Sequence, residues 1–243
     1  MKQLTLIDFK TSKAWYPEFA MQLTAYGRAY NKQALKDGKP TVARLGGLRL
    51  DKQTGIPEYV DCTEGDIDRW IGFCSLLQYY HVMVEPYVKE GENARFYDAG
   101  EFKVPSVTTT LGILSKPALV PWAAKMTSDF ISANMSEIRD PKTTNERVEQ
   151  ILNKSKSAHR VSAKEAAGVG TQVHEAIETY LRGGKPEPVL KDDPLAVSSF
   201  LAFLSWKDSV RLEVVGLECV VIDTNLRYGG TFDLLCYLDG EGN

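Results

Sequence analysis

Residues 4–30 read LTLIDFKTSKAWYPEFAMQLTAYGRAY. The run Leu4 to Ile7 is apolar and predicts a strand, and on a strand residues two apart share a face. Asp8 and Lys10 therefore project together. By itself such a pair is most often a surface ion pair on an edge strand. Here the strand is apolar on both sides of the pair, which predicts that the sheet is buried there, and a charge in a buried sheet requires a reason. A helix over Pro17–Lys36 should follow, because Pro17 sits where a first-turn proline is tolerated. Gln22 and Tyr26 fall one turn apart on that helix and share a face.

The other end of the chain repeats the anomaly. Tyr228–Leu238 reads YGGTFDLLCYL, an apolar strand with Asp233 in its middle. The two glycines before it admit close approach of a neighbour. The preceding segment GLECVVID carries Glu218. A turn near Asn225–Arg227 would place Glu218 roughly opposite Asp233 across the ladder. Two acids so close repel unless a cation lies between them or one is protonated. His174 and Glu178, spaced i, i+4, lie on the helix predicted for SAKEAAGVGTQVHEAIETYLRGG, which Gly183 and Gly184 should end. A core histidine is the plain alternative for His174.

The rest of the chain reads as ordinary structure. TVARLGGLRLDKQTGIPEYVDC predicts a hairpin turning at Asp51–Gly55. TEGDIDRWIGFCSLLQYYHVMVEPYVK predicts one long helix capped by Thr63. EGENARFYDAGEF reads as a linker or small hairpin. Ser106 should cap a helix running into KPALVPWAAKM, with Pro117 and Pro121 breaking it. DPKTTNERVEQILNKSK and DPLAVSSFLAFLSWKDSV are further helices.

The composition bounds the function. The chain has 243 residues, 43% hydrophobic and 25% charged, with a formal net charge of −3. That is ordinary globular composition. It excludes a strongly basic coat but allows a local basic groove offset by acidic residues. The four cysteines, Cys62, Cys74, Cys219 and Cys236, include no C-x-x-C pair. They read as reduced thiols of a cytoplasmic protein, without an iron–sulfur cluster or zinc ribbon. No leader-like segment opens the chain, and no apolar run approaches the ~18 residues that span a membrane, so no membrane association is expected.

Asp8, Asp233 and His174 form a hard, oxygen-rich ligand set that suits Mg²⁺ or Mn²⁺, with Lys10 as a cation and Glu178 or Glu218 as outer support. Such a set polarises a phosphodiester and activates water.

GTQVHEAIE, GGTFDLL, IDFKTSK and QLTAY together resemble the four motifs of the RecB-like branch of PD-(D/E)XK nucleases. VPSVTTTLGILSKPALVPWAAK is also similar to the opening of phage and mitochondrial genome-maintenance exonucleases. The resemblance covers nearly the whole chain. It implies an α/β (α+β) restriction-endonuclease-like core, with a mixed central sheet flanked by helices and a helical arch. It implies a metal-dependent exonuclease acting on single-stranded DNA or DNA ends, phage-encoded and working in the host cytoplasm. Asp233, Asp8, Lys10, Gln22 and Tyr26 would be catalytic and His174, Asp233 and Asp8 the metal ligands. Ser106, Lys125, Lys154, Lys156 and Arg160 are the candidate DNA contacts.

The motif order departs from that family. There the histidine helix comes first and the D-x-K strand later; here D-x-K opens the chain. This order is that of a circular permutation, with Met1 and Asn243 joined by a short glycine-rich turn. Residues 1–92 would hold the second half of the core, 93–160 a linker and arch, and 161–243 the first half. A domain-swapped oligomer could also complete the site. The competing readings are a dormant nucleic-acid-binding module and a processing subunit that needs a partner.

Overall fold

A computed structural model describes residues 2–88, 94–114, 116, 119–191 and 193–239. The chain divides into two compact units, one of residues 1–113 and 170–243 and one of residues 114–169. The smaller unit therefore begins and ends later than the 93–160 span read from the sequence.

In the larger unit, strand β1 (Gln3–Lys10) leads into helix α1 (Pro17–Lys36), then β2 (Arg44–Leu50) and β3 (Pro57–Asp61). Helix α2 (Asp66–Tyr79) continues as a π turn over Tyr80–Val84 and a 3₁₀ turn over Glu85–Tyr87. The short hairpin β4 (Phe96–Asp98) and β5 (Lys103–Pro105) precedes α3 (Val107–Leu111). The smaller unit holds α4 (Leu119–Ala133), α5 (Met135–Arg139), α6 (Asn145–Ser155) and the start of α7 (Ala158–Leu181). The larger unit closes with the rest of α7, α8 (Glu187–Leu190), α9 (Pro194–Ser209), β6 (Arg211–Asp223) and β7 (Tyr228–Asp239).

The architecture is mixed α/β, with a five-stranded sheet in the order β3-β2-β1-β7-β6 flanked by helices. Among the strands described, only β1 and β2 pair in parallel; the crossover between them is α1. β1 is the middle strand, which is why its apolar run does not alternate: Leu6 and Ile7 are fully buried and Phe9 nearly so. β7 pairs antiparallel with β1 from Gln3↔Leu238 to Ile7↔Leu234. The two ends of the chain thus meet at the centre of one sheet, while Met1 and Asn243 themselves lie outside the described residues. The β6–β7 turn falls where the sequence placed it. Asp223 Oδ1 accepts from the N–H groups of Asn225 and Leu226 at 2.9 and 3.0 Å, and Arg227 takes a left-handed φ of 60°.

Three readings require correction. Thr63 does not cap α2. Its hydroxyl accepts the Leu45 N–H at 3.1 Å, and Gly65, at φ 71°, turns the chain into a helix that starts at Asp66. Nor is that helix uniform to its end. Pro86 has no N–H for the ladder, and the last turns widen and then tighten ahead of it. Pro121 does not break a helix either. It is the third residue of α4, where its missing N–H would have had no intrahelical partner. Pro117 lies outside the described residues. No helix among the described residues is long and apolar enough to cross a membrane.

Candidate active site

The ladder between β1 and β7 stops one residue short of an Asp8–Asp233 pair. There the Asp233 side chain takes over: its Oδ2 accepts the Phe9 N–H at 2.5 Å, supplying the partner that the ladder no longer gives. Its Oδ1 lies 3.0 Å from His174 Nδ1. The ring of His174 packs edge-on against Phe9 at 5.9 Å between centroids. Asp8 and Asp233 are only 4% and 8% exposed, so both carboxylates are held in a dry environment.

Lys10 is the nearest cation. Its ammonium forms an ion pair with Asp8 Oδ2. It donates to Gln22 Oε1 at 2.9 Å and lies 4.7 Å from the centroid of the Phe19 ring. Gln22 Nε2 in turn donates to the Tyr26 hydroxyl at 2.7 Å. The chain Lys10–Gln22–Tyr26 thus connects the strand to α1, as the i, i+4 spacing of the last two requires.

Tyr26 fits because position 230 has no side chain. A Cβ on Gly230 would lie 2.2 Å from Tyr26 Cε1. Gly230→Ala is therefore expected to displace the ring, break the Gln22 contact and cost about 1–3 kcal/mol, read as a lower urea midpoint. Gly168→Ala is the control. Among the described residues, no atom beyond the surrounding helix backbone lies within 4 Å of its added Cβ, and in the interior of α7 it should be neutral or stabilising.

Electrostatics separate the acids. Burial pushes the Asp8 carboxyl up to about 6; Lys10 opposes this and Asp233 adds to it. Burial would also raise Asp233, but His174, the Phe9 N–H and Lys10 together outweigh it and hold Asp233 below the ordinary carboxylate range. Burial disfavours the His174 imidazolium, yet the same pairing leaves its affinity for a proton raised. Glu218 is exposed as a residue, but desolvation of its carboxyl and the charge of Asp233 push it up to about 7. Burial and the Asp8 charge keep the Tyr26 phenol neutral.

The structure assembles Asp8, Lys10, Gln22, Tyr26, His174, Glu218 and Asp233, and it leaves others aside. The register places Glu218 opposite Asp233, between the pairs Leu217↔Leu234 and Cys219↔Phe232. One ligand atom each of His174, Glu218 and Asp233 lies within 4.8 Å of the others. Glu178 is engaged with Arg182 on its own helix at 2.8 and 2.9 Å, so its role as outer support is reduced to charge at a distance. Ser106 is corrected from a DNA contact to a helix cap. It is 2% exposed, and its hydroxyl lies between Thr108 and the Thr109 N–H. Lys125, Lys154, Lys156 and Arg160 are all exposed on the smaller unit. Lys125 contacts Asp129 at 2.6 Å and Lys156 contacts Asn153 at 3.0 Å.

Sequence reasoning missed Phe9 and Phe19. Phe9 is the middle residue of D-x-K, and its contribution is a backbone N–H, which no side-chain pattern reveals. Phe19 stands three residues before Gln22 on the same helix face, a signal that was available.

No protein-family model, curated protein or solved structure matches this chain.

Proposed function

We propose that this protein is a metal-dependent deoxyribonuclease of the RecB-like PD-(D/E)XK type, an exonuclease acting on single-stranded DNA or DNA ends. One observation carries the reading. Asp8 and Lys10 from the start of the chain, and His174 and Asp233 from its far end, converge on one buried cluster of alternating charge. The antiparallel pairing of β1 with β7 supports a permuted order of the family core.

The donors fit a hard divalent cation. They are carboxylates and an imidazole, and ligand atoms of His174 and Asp233 lie within 4.8 Å of each other and of Glu218. His174, Asp233 and Asp8 would hold Mg²⁺ or Mn²⁺, which supplies polarisation of the phosphodiester and an activated water. The chain's own groups do the rest. Lys10 offers fixed positive charge where negative charge develops on the phosphate. Gln22 fixes the Lys10 ammonium, and Tyr26, neutral and buried, fixes Gln22. Asp233 orients His174 through Nδ1.

Exposed Lys125, Lys154, Lys156 and Arg160 of the smaller unit are the candidate phosphate contacts. Phosphate contacts release counterions, so affinity for a single-stranded oligonucleotide should fall steeply with salt despite the net charge of −3. Reversing Lys154 and Lys156 to Glu should flatten the log–log slope by about 2. A salt-independent affinity would argue against a DNA substrate. DNA binding without cleavage in Mg²⁺ or Mn²⁺ would mark a dormant binding module instead.

A further inference from the structure

We propose that Glu218 is a direct ligand of the divalent cation beside His174 and Asp233, and that its left-handed backbone is the device that aims it there. The inference rests on the cation-dependent reading of the site and adds a residue outside the D-x-K and histidine motifs.

The middle of a strand has no ordinary use for such a backbone. Glu218 has φ 49°, inside β6, flanked on both sides by regular pairs with β7. A side chain with a Cβ disfavours this region, and glycine or asparagine would adopt it more readily. Strain of this kind persists where the surrounding fold imposes it, and it concentrates at functional sites.

The result of that backbone is a carboxylate next to another carboxylate. One oxygen of Glu218 lies within 4.8 Å of ligand atoms of both His174 and Asp233. Ligands bonded at ~2.1 Å to one ion stand at most ~4.2 Å apart, so a small closure suffices. Among the described residues the Glu218 carboxylate makes no hydrogen bond and no ion pair. Glu178, the other acid nearby, already has Arg182. Asp8, 4% exposed, borders the same cluster and already has Lys10 as its counter-ion, so Glu218 is the acid there without a partner among the described residues. The His174 side chain is 32% exposed and Glu218 is exposed, so the cluster is open to solvent.

The test is a calorimetric titration of the full chain with Mn²⁺ alone, without DNA, for the wild type, Glu218→Gln and Glu218→Gly. Melting of each metal-free protein is followed in parallel. Both variants are expected to bind Mn²⁺ at least about tenfold more weakly. Metal-free Glu218→Gly should melt at or above the wild type, because the strain and the acid–acid repulsion both disappear. In Mn²⁺-soaked crystals the anomalous peak should lie within bonding distance of a Glu218 oxygen. Variants that bind as tightly as the wild type, or a peak that reaches Glu218 only through water, would overturn the assignment while leaving the cation reading intact. A wild type that binds no Mn²⁺ would overturn both.

Discussion

Asp233→Asn is expected to abolish DNA hydrolysis while leaving the fold intact. Asp233 is the junction of the cluster: one oxygen accepts the Phe9 N–H and the other meets His174. Asparagine retains an acceptor for Phe9, so β1 and β7 should still pair. It removes the charge that orients His174 and attracts a cation. Lys10→Ala should act as strongly by a different route. It leaves the acids in place and removes the only cation in contact with Asp8 among the described residues. Loss of a single preorganised charge-stabilising group costs about 10²–10³ in turnover, and loss of a ligand more. Steady-state cleavage of a labelled oligonucleotide, with circular dichroism as the control for folding, measures both. Wild-type turnover in either variant would remove the assignment.

Asp8→Asn should abolish activity too, yet stabilise the metal-free protein at neutral pH. The folded carboxyl titrates near 6, the ordinary one at 3.8. Between those values the folded state holds the proton that the unfolded chain has released. Stability therefore falls as pH rises from about 4 to 6, and the full cost, about 3 kcal/mol, is present at pH 7. Asparagine removes this cost; the lost ion pair with Lys10 offsets part of the gain. Urea unfolding should show little difference at pH 4 and the largest gain for the variant near pH 7. Added Mn²⁺ should stabilise the wild type and narrow or reverse the gap. A variant less stable than the wild type at pH 7 would mean that the Lys10 pair outweighs burial.

Much of this was legible in the residues. β1 and β7 are continuous apolar runs because they are adjacent interior strands of the sheet, and burial on both faces leaves that mark. The same background made Asp8 and Asp233 conspicuous. Gln22 and Tyr26 were legible from helical spacing, and Gly230 from its place before Asp233 in a buried strand. What was not legible depends on the backbone or on distant partners. The left-handed turn at Glu218 has no sequence signature, because glutamate is not a residue that favours it. The Phe9 N–H carries no pattern at all. Thr63 had the chemistry of a cap, but the Leu45 N–H, eighteen residues away, claimed its hydroxyl. Ser106 did become a cap, as its place before Val107 suggested, and that role buries its hydroxyl.

The most direct test of the nuclease assignment is wild-type cleavage of end-labelled single-stranded and double-stranded DNA in Mg²⁺, in Mn²⁺ and in excess chelator. The expected result is metal-dependent release of nucleotides, faster from single strands or ends, and none in chelator. DNA that stays intact with either metal at an enzyme excess, or cleavage that continues undiminished in chelator, would contradict it.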